Sequence, residues 1–363
     1  MANAQLRLTP LPGIKIMRQS YNISGVEHEP SHFARRFLVG GMLLLIMALA
    51  GCSDRTVQIS LVPTHGGIHP RMVHKSAHWF VSNRIAIVNI SGMLMDGTAG
   101  GLFGGGHNPV SDLEQTLADI QRDPRVKAVV LRMNTPGGTV TSSAMMYHEI
   151  LAFKRKTHLP VIASMMDVCA SGGYYVSCAA DYQMAYPTTI TGSIGVIVQL
   201  FNFHRALRYL GVQAPVFVSG PNKDTASPFH AMTPENKKII QGFVTQFYAR
   251  FLNIVKKSHP DVNPKYWPKL TDGRPVTGED AFHDHLINGL GGLESAIKLA
   301  KKMAHIRHAN VVLYRRYSQS SGSIYARSEM PSPHSQQVNL MNLNLGAADV
   351  SSLLHPNFFY MWQ

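Results

Sequence analysis

The middle of the chain repeats one pattern three times: a β-branched apolar run, a turn bearing glycine, then a helical segment. Ile85-Ala-Ile-Val-Asn-Ile90 ends at Gly92. Residues 127–134 (KAVVLRMN) run into Pro136-Gly137-Gly138. Residues 160–165 (PVIASM) lead to a turn over Cys169–Gly173. Near-continuous apolar runs suit strands covered on both faces, the condition of a parallel sheet. Alternation with helices then fixes the fold class as α/β.

The remaining elements fit the same scheme. Ser111 is expected to open a helix with Glu114 in the capping-box position, Leu113, Leu117 and Ile120 on one face, and Pro124 ending it. A second helix follows the Pro-Gly-Gly turn to about Lys156. Residues 182–186, 193–199 and 214–218 read as short strands. Thr233-Pro234-Glu235 starts the longest helix, with Thr as cap and Pro in the first turn. Phe243, Phe247, Phe251, Ile254 and Val255 form its expected buried stripe, a core signal rather than a ligand box. A last helix spans about 293–304. Residues 85–304 are therefore read as a single domain without internal repeats.

The flanks differ. Arg35 and Arg36 precede a run of apolar and small residues, 37–51, and Cys52 follows. A basic region, a short apolar core and small residues before a cysteine make a secretory signal; the run is too short for an ordinary spanning helix. Segment 33–52 is read as that signal, ending in Leu49-Ala50-Gly51-Cys52. Residues 1–32 are an extension with a mis-set start as its plainest explanation, and 53–84 a linker. Residues 305–363 are a polar tail ending in the apolar LLHPNFFYMWQ. That tail is read as packing on its own domain, with a tether that docks elsewhere as the alternative.

Composition removes several classes. With 45% hydrophobic and 15% charged residues, the chain is not disordered throughout. Three cysteines cannot scaffold 363 residues, and Cys169 and Cys178 are expected to be free and buried. The formal charge of +13 comes without a dense basic tract or a basic-aromatic stripe, so no nucleic-acid partner is expected; an anionic membrane surface accounts for the same charge. His283-Asp284-His285 is read as a surface cluster, not a metal site.

Three turns carry the chemistry. In Asn134-Thr-Pro-Gly-Gly138, consecutive glycines leave backbone N–H groups open to a ligand, as an oxyanion site requires. In Ala170-Ser171-Gly172-Gly173, a serine sits between an apolar strand and a helix start, where a plain N-cap role competes with a nucleophilic one. In Ser219–Pro228, Lys223 lies in a turn. A lysine serves as general base only where burial lowers its pKa far below about 10.4. The glycine-rich stretch 97–108 is read as a mobile lid or rim rather than a phosphate cradle.

Together these residues are familiar. The chain resembles the signal peptide peptidase A family of bacterial membrane-bound serine peptidases, which share the Clp protease/crotonase fold of repeated ββα-type units. The matching segments are NTPGG (134–138), ASGGYYVSCAAD (170–181), PTTITGSIGV (187–196), GPNKDTASPF (220–229) and GRPVTGEDA (273–281). The resemblance implies Ser171 as nucleophile, Lys223 as general base and Ser193 as the hydroxyl that orients the lysine. It implies Gly138 and Gly172 amides as oxyanion donors, and Gly137 with Ser193-Ile194-Gly195-Val196 along the edge that pairs with an extended peptide. Leu49-Ala50-Gly51-Cys52 separately resembles the lipobox of bacterial lipoproteins, in which the cysteine is acylated, with an uncleaved anchor as the alternative. The peptidase resemblance further implies a periplasm-facing membrane tether, a homo-oligomer, an octamer for a single-copy chain, with the dyad completed across subunits, and no metal or nucleotide cofactor. Asn134-Thr135 stands where the family often has Ser before Pro, and Cys169 and Cys178 stand where Ala or Ser is frequent. No histidine follows Ser171 until His204, which argues against a Ser-His-Asp triad. A non-catalytic peptide-binding scaffold is the alternative; an acyl-CoA enzyme of the same fold is disfavoured by the secretion signal.

Overall fold

The computed structural model describes residues 68–77, 80–96, 108–316 and 358–361. The signal segment, Cys52 and glycine-rich residues 97–107 lie outside them. In chain order come β1 (Ile68–His74), β2 (Arg84–Ser91), α1 (Pro109–Arg122), β3 (Val126–Thr135), β4 (Gly137–Thr139), α2 (Val140–Thr157), β5 (Val161–Ala170) and α3 (Gly172–Ser177). Then follow β6 (Tyr182–Ala185), β7 (Ile190–Gly192), β8 (Ile197–Val198), α4 (His204–Tyr209), α5 (Pro234–Ser258), α6 (Trp267–Leu270) and β9 (Pro275–Thr277). The last are α7 (Gly278–His283), β10 (Gly289–Leu290), α8 (Leu293–Met303), β11 (Asn310–Arg316) and β12 (Phe358–Met361).

The main sheet runs β1-β11-β2-β3-β5-β6-β10. From β11 to β10 every pairing is parallel, and β1 closes one edge antiparallel. Alternate residues of each strand serve opposite faces. Ala86, Val88, Val129 and Leu131 pack with Leu117 of α1 and Ile150 of α2. Ile85, Ile87, Val130 and Ile162 lie with Leu293 and Ala300 of α8. Each fully buried Val, Leu or Ile contributes roughly 1.5–3 kcal/mol, so this two-faced core holds the sheet. The α/β fold expected from the alternation of strands and helices is the one present.

The sheet divides at β5. Its first half, Ile162–Met165, pairs with β6, and its end, Val168–Ala170, pairs with β7, which continues antiparallel into β9. A second, three-stranded sheet, β4-β12-β8, stands beside this end.

Several expectations shift. The first helix is capped by Asn108, not Ser111: its side chain accepts from the Val110 and Ser111 amides, and Pro109 fills the first turn. Residues 193–199 are not one strand, since 193–196 are irregular between β7 and β8. Residues 214–218 form no strand, and Phe217 is 95% exposed; no edge of the described sheet lies there for them to pair with. Thr233 caps α5 with a full capping box through Asn236. Phe251 and Val255 are buried as expected, but Phe243 at the other end of the stripe is 42% exposed, because only the second half of α5 lies against the core. The main sheet also reaches beyond 85–304, through β1 in the stretch read as linker and β11 in the stretch read as tail. Cys169 and Cys178 are free and buried. Among the described residues, no helix is long and apolar enough to cross a membrane.

Candidate active site

Two adjacent parallel strands deliver the two glycine turns to one place. β3 and β5 pair to their ends, with Thr135 opposite Cys169 beyond a shift in register after Met133. The chain therefore leaves β3 into Pro136-Gly137-Gly138 beside the point where it leaves β5 into Ser171-Gly172-Gly173. Ala170 is opposite Gly192 of β7, and the Ser171 amide donates to the Gly192 carbonyl at 2.8 Å. Ser193, next along, is thereby set beside Ser171.

Both serines are held in uncommon backbone conformations. Ser171 has φ 51° and ψ −113°, and Ser193 has φ 51°. A side chain at positive φ persists only where its surroundings enforce it, and such residues cluster at functional sites. Ser171 occupies the N-cap position of α3 but makes no side-chain cap hydrogen bond, so the plain capping role does not apply. Its side chain is 1% exposed.

The glycines are required by close approach. A Cβ on Gly138 would collide with the Leu94 carbonyl, because Leu94 pairs with Gly138 and accepts from the Thr139 amide at 2.8 Å. A Cβ on Gly172 would collide with Ser143 Oγ and lie 3.1 Å from the Gly138 nitrogen. The Gly138 and Gly172 amides thus share one small space beside Ser171. Thr135 braces the turn: its buried hydroxyl accepts from the Gly137 amide at 3.1 Å and donates to the Gly92 carbonyl. Asn134 Oδ1 accepts from the Val168 amide at 3.1 Å, tying the turn to β5. Thr191 Oγ1 donates to the Cys169 carbonyl at 2.7 Å from the other side. These supporting side chains escape a motif reading, since a buried threonine in a strand looks like any β-former.

The other residues singled out fall as follows. Ile194 is fully buried, and with Gly195 and Val196 it lines a cavity of about 280 Å³ against Val244 and Tyr248 of α5. Pairing with an extended segment occurs one step on, at Ile197–Val198, and on the other side at Gly137–Thr139. Lys223 is exposed in its turn, held by its amide donating to the Gly220 carbonyl at 3.1 Å, and its amine has no hydrogen-bond or ion-pair partner among the described residues. Ser171 Oγ likewise has no hydrogen-bonded base among them. His259, the buried histidine of the region, instead bonds Gln183 Oε1 at 2.6 Å and stacks on Tyr174. Burial above all, only partly offset by Asp261, brings its pKa down to about 4. No group of His, Cys, Asp and Glu among the described residues could hold a metal ion.

An aromatic pocket adjoins the glycine turns, and its role is not evident from any motif. Tyr175 of α3 and Phe251 of α5 sit 5.1 Å apart between ring centres, with Tyr147 edge-on to Tyr175 at 5.4 Å. Burial pushes the Tyr175 hydroxyl up to about 12, and that hydroxyl has no hydrogen-bond partner. Tyr175 lies inside the ASGGYY segment and Phe251 inside the helix stripe, so each reads as core in isolation.

Peptidase family S49 matches residues 153–307. A protein named as a signal peptide peptidase SppA in Enterococcus faecium is 34% identical over 64% of this chain and 67% of its own. A protein named as a protease in Methanocaldococcus jannaschii is 30% identical over 76% of this chain and 81% of its own. Protease 4 of Salmonella typhi is 34% identical over 64% of this chain, which spans only 36% of that longer protein. Among solved structures, the 1510-N membrane-bound stomatin-specific protease aligns with a TM-score of 0.42 and 14% identity, over 65% of this chain and 99% of that one. By its sequence relatives and the family match, the chain belongs to the signal peptide peptidase A family of serine peptidases, peptidase family S49.

Proposed function

We propose that this protein is a membrane-tethered endopeptidase that hydrolyses signal peptides or other unfolded apolar peptides with a Ser171–Lys223 dyad. The observation that carries the reading is the convergence of Ser171, strained and free of capping duty, with the Gly138 and Gly172 amides. In this reading Ser171 Oγ attacks the peptide carbonyl while neutral Lys223 takes its proton and Ser193 orients the amine. The two glycine amides hold the oxyanion, each such donor contributing about 3 kcal/mol to the transition state. Lysinium then protonates the departing amine, and water hydrolyses the acyl-enzyme.

Lys223 reaches a serine by joining a second copy of the chain. In support, α4 has no buried residue and Phe217, six residues before Lys223, is almost fully exposed. Apolar surface of that kind marks an interaction site. Desolvation against a neighbouring subunit favours the neutral amine the mechanism requires. The tether is acylated Cys52, and the catalytic domain faces the periplasm. No metal or nucleotide takes part.

The test is casein and signal-peptide hydrolysis by the wild type, Ser171→Ala and Lys223→Ala, together with labelling of Ser171 by a fluorophosphonate. Loss of turnover in both variants with the assembly intact supports the dyad. Full activity of Lys223→Ala rejects that base. A wild type that neither labels nor hydrolyses is the non-catalytic peptide-binding scaffold.

A further inference from the structure

The parallel order of β11, β2, β3 and β5 puts their starts at one end of the sheet, opposite the end that carries Ser171. Arg84 opens β2 opposite both Val126 of β3 and Asn310 of β11, and β5 begins at Val161, opposite Val129. Each of α1, α2 and α8 runs back to the start of the next strand, so its C-terminus lies at that same end. Basic residues in a last turn suit the helix dipole. Here they continue past the helices into the connections, with Arg125 and Lys127 after α1 and Arg307 after α8.

The acids on and beside these connections are paired. Asp119 meets Arg122 at 2.9 Å, and Asp123 meets Arg84 at 2.7 Å and Arg125 at 2.8 Å. Asp181, whose carboxylate accepts from the Val161 amide, meets Lys154 at 2.7 Å. Residues 154–160 (KRKTHLP) and 301–309 (KKMAHIRHA) hold no acid. Arg155, Lys156, Lys302 and Arg307 are exposed, with Lys127 and Lys301 half-buried. Four strands at about 4.8 Å spacing, with helices on both faces, spread these cations over a flat area rather than along a groove. Residues 119–127, 154–160 and 301–309 contain no Phe, Tyr or Trp on which a base could stack. A flat cationic face of this kind matches an anionic bilayer better than a nucleic acid.

We propose that this pole of the sheet docks on anionic lipid headgroups and holds the domain with Ser171 turned away from the bilayer. The inference takes from the proposed function only the tether, which brings the chain to a membrane. The residues from Cys52 to Ile68 extend at most about 55 Å, and the sheet is about 26 Å long along β2, so a tether joined to β1 lets either end of the sheet meet the lipid. Each Lys or Arg near the surface contributes about fivefold in affinity, and the attraction fades within roughly 8 Å at physiological salt. The cleft then receives segments that have left the bilayer rather than ones still embedded in it.

The experiment uses the full chain reconstituted on vesicles of phosphatidylcholine, alone or mixed with phosphatidylglycerol, with a nitroxide on some headgroups. A fluorophore is attached at Gln121→Cys, near the end of α1 at the basic pole, or at Ser295→Cys, in the first turn of α8 at the other pole. Cys169 and Cys178 are buried, and the unsubstituted chain treated in parallel gives the background. In the anionic vesicles, quenching at Gln121→Cys should exceed that at Ser295→Cys by about threefold or more, and raised ionic strength should abolish the difference. Arg155→Gln, Lys156→Gln, Lys302→Gln and Arg307→Gln together should abolish it too, while vesicle flotation and casein hydrolysis stay unchanged. Equal quenching at the two positions, or the same difference on neutral vesicles, overturns the docking, and flotation then leaves the tether standing. A chain that floats with neither vesicle overturns both. Complete loss of quenching on adding duplex DNA at matched charge overturns the lipid in favour of nucleic acid.

Discussion

The hydroxyl of the fully buried Thr135 accepts the Gly137 amide hydrogen at 3.1 Å and passes its own hydrogen to the Gly92 carbonyl. One side chain thus satisfies the amide that precedes the Gly138 donor. Thr135→Val keeps the shape and takes the hydroxyl from the buried Gly137 amide and the half-buried Gly92 carbonyl. It is expected to cost about 2 kcal/mol in urea unfolding and to lower kcat more than it raises KM. An unchanged unfolding midpoint would show that water or a shifted turn replaces the hydroxyl.

Gly172 tests the approach of the substrate backbone separately from the fold. Gly172→Ala drives a methyl group into Ser143 Oγ, and Ser143→Ala makes room for it. The double variant should recover most of the thermal stability lost by Gly172→Ala. It should remain at least about a hundredfold below wild type in kcat/KM, because the methyl still sits 2.9 Å from the oxygen of an occupant carbonyl. Thermal melts and peptide hydrolysis of the three variants decide it.

His259 gives the fold a pH dependence of known sign. Burial, against a smaller opposing effect of Asp261, holds it at about 4 when folded, below the ordinary 6.5. Between these values the unfolded chain carries a proton that the folded one does not, so unfolding takes up a proton. Stability is complete above about pH 6.5, declines as pH falls toward 4 and levels off below, by about 3 kcal/mol in all. Urea unfolding across this range should show that slope, and His259→Phe should flatten it. A slope unchanged by the substitution would place the titration elsewhere.

The proposed completion of the dyad between copies makes a mixing prediction. Ser171→Ala and Lys223→Ala are each expected to be inactive alone. Co-assembled, they should regain activity, because an intact serine in one subunit meets an intact lysine from another. Phe217→Asp, at a residue 95% exposed, should leave the unfolding free energy within about 0.5 kcal/mol while shifting sedimentation to smaller species and reducing hydrolysis. No recovery on co-assembly would mean that each chain supplies its own base.

The legible part of this molecule was the part written in periodicity. The β2, β3 and β5 runs and the Thr233 cap declare themselves locally, and their order dictates a parallel sheet with Ser171 at a strand end. Asn108 shows the limit of that method: Ser111 and Asn108 are both good caps, and Pro109 decides between them by fitting the first turn. Residues 214–218 have strand-like composition but lack a neighbouring edge, which no local pattern reveals. β11 hides among arginines, since only its partner β2 makes Val311–Tyr314 a core strand. Tyr360 is furthest from view, because its meaning depends on Tyr175, Phe251 and Phe247, each more than a hundred residues away.

The pairing of β12 has a consequence for what can enter this slot. It is hydrogen-bonded on its left and its right, to β4 and to β8. A strand inside a folded sheet has neither side available, and one at the rim of a sheet has a single side. Only a segment detached from any sheet of its own can offer both at once. A slot paired on both sides therefore admits an unfolded segment and turns away a strand of an intact sheet before any side chain is read.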